Sequence, residues 1–93
     1  MQDKTEILAM VSDFAAKMQG EMIRPKNLKK RSWRKLPGIT TADRIENFAI
    51  ELGENMRAED FGEPYSKKES KQFCIHIANY AMMLHDVLSR EGK

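Results

Sequence analysis

Apolar residues recur at Ile7, Met10, Val11, Phe14 and Met18, a spacing of i, i+3, i+4, i+7, i+11 that gathers them on one face of a helix. The pattern predicts a first helix over about residues 3–23. Gly20 weakens its last turn, and Pro25 ends it by disfavouring helical geometry at Arg24. From 24 to 39 the periodicity is lost and Pro37-Gly38 adds a second break, so this stretch reads as a loop carrying Trp33, with room for one short helical turn. Ile45, Phe48, Ala49, Leu52 and Met56 then form a second stripe opposite Asp43, Glu46, Glu51 and Glu54. This predicts a helix over about 41–57, with Thr40 or Thr41 as N-cap and Asp43 favouring its positive end. Residues 58–65, with Gly62 and Pro64, read as a turn of ordinary length. Ser66-Lys67-Lys68-Glu69 has the form of a capping box and opens a third helix over about 67–90.

The third helix sets the expected assembly. Phe73, Ile77, Tyr80, Ala81, Leu84, Val87 and Leu88 fall on one broad face, but Ile75 and Met82 project from the opposite side. A helix with two apolar sides must be covered twice, and three helices leave one side bare. The expectation is therefore an all-α protein, a single domain over residues 1–93 whose three-helix subunit assembles as a homodimeric or higher helical bundle.

Composition narrows the class. A chain of 93 residues is near the lower limit at which one core suffices, which makes help from a second subunit useful. Hydrophobic residues at 41% and charged residues at 32% describe a soluble protein, and no run approaches the ~20 apolar residues of a membrane span. The first residues show no signal-peptide pattern, so the expected location is cytoplasmic, with no membrane partner. Cys74 is the only cysteine, which excludes an intramolecular disulfide and a multi-cysteine zinc site. On an apolar helix such a residue is expected to be a small core side chain.

The net charge of +2 conceals an asymmetry. Arg24, Lys26, Lys29, Lys30, Arg31, Arg34 and Lys35 place seven cations and no acid within twelve positions, while the other nine basic and fourteen acidic residues leave −5. Such a run meets nucleotide phosphates, a nucleic-acid backbone or simply water. Trp33 within it either stacks a base or plugs the loop onto the bundle.

The segment Ile77-Ala78-Asn79-Tyr80-Ala81-Met82-Met83-Leu84 resembles the last core helix of the MazG-like nucleotide pyrophosphohydrolases, particularly short phage-type members with an A-N-[FY]-A-M-M run. The upstream order is similar too: Phe14-Ala15-Ala16-Lys17-Met18, a basic loop with Trp33, then Arg44-Ile45-Glu46 leading to Glu51-Leu52. The resemblance implies an all-α oligomer of a family that splits nucleoside triphosphates into monophosphate and pyrophosphate. That chemistry uses carboxylates, E-E-x-x-E on one helix and E-x-x-D on the next, to hold Mg²⁺. In this chain the resemblance puts Asn47, Phe48 and Glu51 at the first motif and Phe73 and His76 at the second. Only Glu51 remains. Phenylalanine cannot coordinate Mg²⁺, and imidazole suits a hard cation poorly.

The leading expectation is therefore a non-catalytic nucleotide-binding protein that sequesters a nucleotide or cyclic nucleotide without cofactor or metal. Lys29, Lys30, Arg31, Arg34 and Lys35 would meet phosphates, Trp33 or Tyr80 a base, and Glu51 and His76 would line the cleft. Alternatives are a small interaction protein that inhibits a host protein, an active Mg²⁺-dependent pyrophosphohydrolase with a rearranged site, and, below these, a nucleic-acid binder. Glu51 and Glu54 either hold a cation or form part of a solvated face. His76 and His85, roughly 180° apart around one helix, cannot chelate one metal together.

Overall fold

In the computed structural model, the described residues are 3–28, 37–64 and 66–90, apart from the side chains of Lys26 and Leu28. They form α1 (Lys4–Met22), α2 (Pro25–Leu28), α3 (Gly38–Asp60) and α4 (Lys67–Arg90), and no strand occurs among them, so the fold is all-α. No helix among the described residues is long and apolar enough to cross a membrane. The chain divides into two compact units, residues 1–30 and 31–93.

In the first unit, Asp3 caps α1 by accepting a hydrogen bond from the Glu6 amide at 2.9 Å. The helix ends at Met22, as the pre-proline restriction on Arg24 requires, and Pro25 starts α2, where its missing N–H costs nothing. Glu21 is only 9% exposed, although a carboxylate is unfavourable at the negative end of a helix. Its neighbours compensate. Arg24 Nη1 donates to Glu21 Oε2 at 3.0 Å, and Asn27 Nδ2 donates to the Glu21 carbonyl at 2.6 Å.

In the second unit, α3 and α4 form an antiparallel hairpin. Phe48, midway along α3, touches Phe73, His76 and Tyr80, and Asn55, nearer its end, bonds Ser66 and Ser70. Ile45, Phe48 and Leu52 on α3, with Phe73, Ile77, Tyr80 and Leu84 on α4, are half-buried, as the two stripes predict. Ala49 and Met56, expected on the apolar stripe of α3, and Ala81 and Leu88, expected on the apolar face of α4, are exposed instead.

Three local expectations need correction. The first helix turn of α3 lies three residues before the expected start, because Pro37 rather than Thr40 or Thr41 occupies the N-cap (φ −57°, ψ 142°). The Thr40 amide bonds the Pro37 carbonyl at 3.0 Å, and Thr41 is buried at 4% exposure inside the helix. A proline ring presets the backbone for this turn without a side-chain cap. At its other end α3 runs to Asp60, beyond the expected 57. There the Glu63 amide bonds the Ala58 carbonyl at 2.8 Å and the Gly62 amide bonds Glu59 at 3.1 Å, with Gly62 at φ +69°. This paired closure is a Schellman motif, and it needs a residue that tolerates the left-handed region.

The capping box at α4 is half formed. Ser66 Oγ accepts from the Glu69 amide at 3.1 Å, but the Ser66 amide donates to Asn55 Oδ1 at 3.2 Å rather than to the Glu69 carboxylate. A tertiary partner replaces the local one. Asn55 Nδ2 also donates to the Ser66 carbonyl at 2.7 Å and to Ser70 Oγ at 2.5 Å, so one side chain ties the end of α3 to the first turn of α4.

Candidate functional site

Phe48, Phe73 and His76, at positions where the resemblance calls for carboxylates, come together on the inner side of the hairpin, while Asn47, another such position, is exposed. Phe48 lies 6.2 Å from Phe73 and 5.0 Å from His76 between ring centroids, the His76 pair inclined by only 25°. Tyr80, one turn beyond His76, stacks on Phe48 at 5.8 Å and 17°. A period of about 3.6 residues brings Phe73, His76 and Tyr80 to one flank of α4, and antiparallel pairing sets Phe48 opposite them. Gln72 reaches His76, with Nε2 atoms 3.4 Å apart.

Tyr80 is engaged on its polar side as well. The Arg44 guanidinium carbon is 5.7 Å from its ring centroid, within cation–π range, and Arg44 Nη1 is 3.5 Å from the phenol oxygen. The phenol thus carries a cation from its own hairpin and an aromatic neighbour on α3. This arrangement stabilises the helix pair.

Glu51 stands beside this cluster. With Glu54, Asn55, Ala58, Glu69 and Phe73 it borders an open depression of about 330 Å³, whose apolar part is Phe73 and Ala58. Glu51 and Phe73 border this depression together, whereas His76, expected to line a cleft with Glu51, lies against Phe48. No group of three His, Cys, Asp or Glu among the described residues is arranged to hold a metal ion. The expected phosphate and base contacts Lys29, Lys30, Arg31, Trp33, Arg34 and Lys35 lie outside the described residues.

Cys74 is exposed, against the expectation of a core thiol. The reason is angular, since at 100° per residue it shares the outer side of α4 with His85, which is also exposed. Sequence reasoning also passed over Asn55, Arg44 and Gln72. For Asn55 and Arg44 the signal lies in the pairing register of two helices, which hydrophobic periodicity does not carry; Gln72 stands one turn before His76 on α4, and the i, i+4 spacing could have found it. Comparisons of the chain with protein-family models, with curated proteins and with solved structures gave no match.

Proposed function

We propose that the chain is a non-catalytic binding protein for a nucleotide or cyclic nucleotide, built on a helical framework resembling the pyrophosphohydrolases. One observation carries the non-catalytic part of this reading: Phe73 and His76 each pack on Phe48, and all three stand at positions where the resemblance calls for metal-holding carboxylates. Aromatic packing supplies neither the charge nor the oxygen donors that Mg²⁺ requires. What supports the ligand class is the cation run with Trp33, since phosphates select clustered Lys and Arg and bases select aromatic faces. Calorimetry with mono-, tri- and cyclic nucleotides tests it. The expected result is binding unaffected by EDTA and no pyrophosphate release. Absence of binding by every class rejects the reading, and Mg²⁺-dependent pyrophosphate release abolished by Glu51→Ala replaces it with a hydrolase.

A second reading, an interaction protein that binds a host protein, draws on the surface. Met82 is 44% exposed beside the half-buried Met83, and thioether side chains adapt to varied partners. Nuclease-insensitive recovery of one host protein in stoichiometric amount, lost in Met82→Lys, supports that reading. Recovery unaffected by Met82→Lys removes the surface from it.

A further inference from the structure

Among the described residues three methionines are exposed: Met10 at 54%, Met56 at 44% and Met82 at 44%. They differ in what the sulfur does. Met56 Sδ accepts a hydrogen bond from Ser70 Oγ at 3.5 Å, whereas the sulfurs of Met10 and Met82 accept none among the described residues. Ser70 is only 8% exposed, and its hydroxyl stands between two side chains of α3. It accepts from Asn55 Nδ2 at 2.5 Å and donates to Met56 Sδ, so the sulfur is the terminal acceptor of the chain Asn55–Ser70–Met56. Each bond of such a chain polarises the next. Asn55 carries the chain on to the Ser66 backbone and also borders the depression shared by Glu51 and Phe73. A weak acceptor on a solvent-exposed side chain thus closes a part-buried polar network.

We propose that Met56 is a site of reversible oxidation by a peroxide, and that its sulfoxide unfastens the tie between α3 and α4. A lone pair of Sδ attacks one peroxide oxygen, the O–O bond breaks, and the attacked oxygen stays on sulfur. Its proton passes to the departing hydroxide, which leaves as water, so sulfur loses the two electrons that the peroxide gains. Neither lone pair yields a product that keeps the Ser70 bond. Oxygen added on the side facing Ser70 has no room, because an O–H···O contact takes about 2.7 Å and the 3.5 Å gap leaves too little for an S–O bond. Oxygen added on the other side turns the positive end of the S–O dipole toward a hydrogen-bond donor. The Ser70 hydroxyl then loses its acceptor where little water reaches it, and the less unfavourable course is for Met56 to swing outward and the first turns of α4 to loosen. Reduction returns the thioether and with it the acceptor. Met10 and Met82 support no such chain, so their oxidation leaves the hairpin fastened. This inference is independent of the nucleotide reading.

The test is hydrogen exchange at the Ser66 amide, whose bond to Asn55 Oδ1 belongs to the same network, before and after treatment of the full chain with hydrogen peroxide. Every protein carries Cys74→Ser, so that the exposed thiol does not consume the oxidant. Peptide mass mapping reports which methionines have gained oxygen. In the chain otherwise native, exchange at Ser66 is expected to rise about tenfold or more once Met56 is fully oxidised, the effect of one lost hydrogen bond to the network. Methionine sulfoxide reductases of both epimer specificities, with dithiothreitol, should reverse the rise. With Met10→Leu and Met82→Leu the same rise is expected. With Met56→Leu, a volume-conserving change, peroxide should leave the rate as it was, and comparison with the same variant untreated removes any difference in starting stability. Protection that survives full oxidation of Met56, protection that falls equally in the Met56→Leu chain, or a Met56 still reduced when Met10 and Met82 are oxidised would overturn the proposal.

Discussion

Phe48 of α3 stacks on His76 of α4 with ring centroids 5.0 Å apart and planes 25° from parallel. Phe48 also meets Phe73 and Tyr80, which makes it the side chain through which most of the ring contacts between the helices pass. Because it is half-buried, Phe48→Ala is expected to cost about 2 kcal/mol, roughly half the loss for a fully buried Phe. His76→Ala should cost less. A double-mutant cycle between the two should give a coupling of about 0.5–1.5 kcal/mol in guanidinium unfolding at fixed protein concentration. A coupling near zero would mean that the stack contributes no more than separate burial.

Asn55 fastens the other end of the hairpin. Its carboxamide donates to the Ser66 carbonyl and Ser70 Oγ and accepts from the Ser66 amide. Asn55→Ala removes all three bonds and leaves the Ser66 amide and carbonyl to water, at an expected cost of about 2 kcal/mol. Asn55→Asp keeps the acceptor and loses both donor bonds, so it should fall between the two. Hydrogen exchange at the Ser66 amide separates them: protection should be lost in the Ala variant and retained in the Asp variant.

Much of the hairpin was legible because its stripes obey one rule. Ile45, Phe48 and Leu52 recur at helical spacing and become half-buried, and Ser66 to Glu69 marks the start of α4 at Lys67. The start of α3 was not legible. Thr40 and Thr41 have good capping side chains, but Pro37 fixes the backbone earlier and a proline carries no polar atom to advertise it. Of the candidate site, the resemblance singled out Glu51 and Phe73 as aligned positions, but that they border one depression depends on how the helices pair. Asn55 and Arg44 were not legible, because their partners Ser66 and Tyr80 lie 11 and 36 residues away and depend on how the helices are paired.

Two glycines should respond to alanine with opposite signs. Gly62 sits at φ +69° in the closure of α3, where an added Cβ is strained although space is open, so Gly62→Ala should cost about 1 kcal/mol. Gly20 lies within α1, and a Cβ there meets nothing within 4 Å. Gly20→Ala should therefore stabilise by about 0.5–1 kcal/mol, through reduced freedom of the unfolded chain and better helix propensity. Thermal unfolding monitored at 222 nm reads both shifts. A loss of stability in Gly20→Ala would show that this face of α1 is occupied in solution.

The nucleotide reading makes an unequal demand on two kinds of charge. If the cations of the basic run hold phosphate, Lys29→Ala with Lys30→Ala removes charge-assisted contacts worth about 1.5–3 kcal/mol each and should weaken binding by about a hundredfold or more. The native affinity should also fall as salt rises, because screening shortens the reach of exposed charges to ~10 Å at 0.1 M. Glu51 makes the contrast. In a Mg²⁺-dependent hydrolase its loss removes the reaction, whereas in a metal-free binder it stands near the ligand without carrying a cation. Glu51→Ala should then change affinity by less than tenfold and leave the response to EDTA unaltered. Calorimetry on the two variants side by side decides between them: a large loss from Glu51→Ala with little from the paired lysines would move recognition from phosphate charge to a carboxylate, and with it from a nucleotide binder to a metal-dependent enzyme.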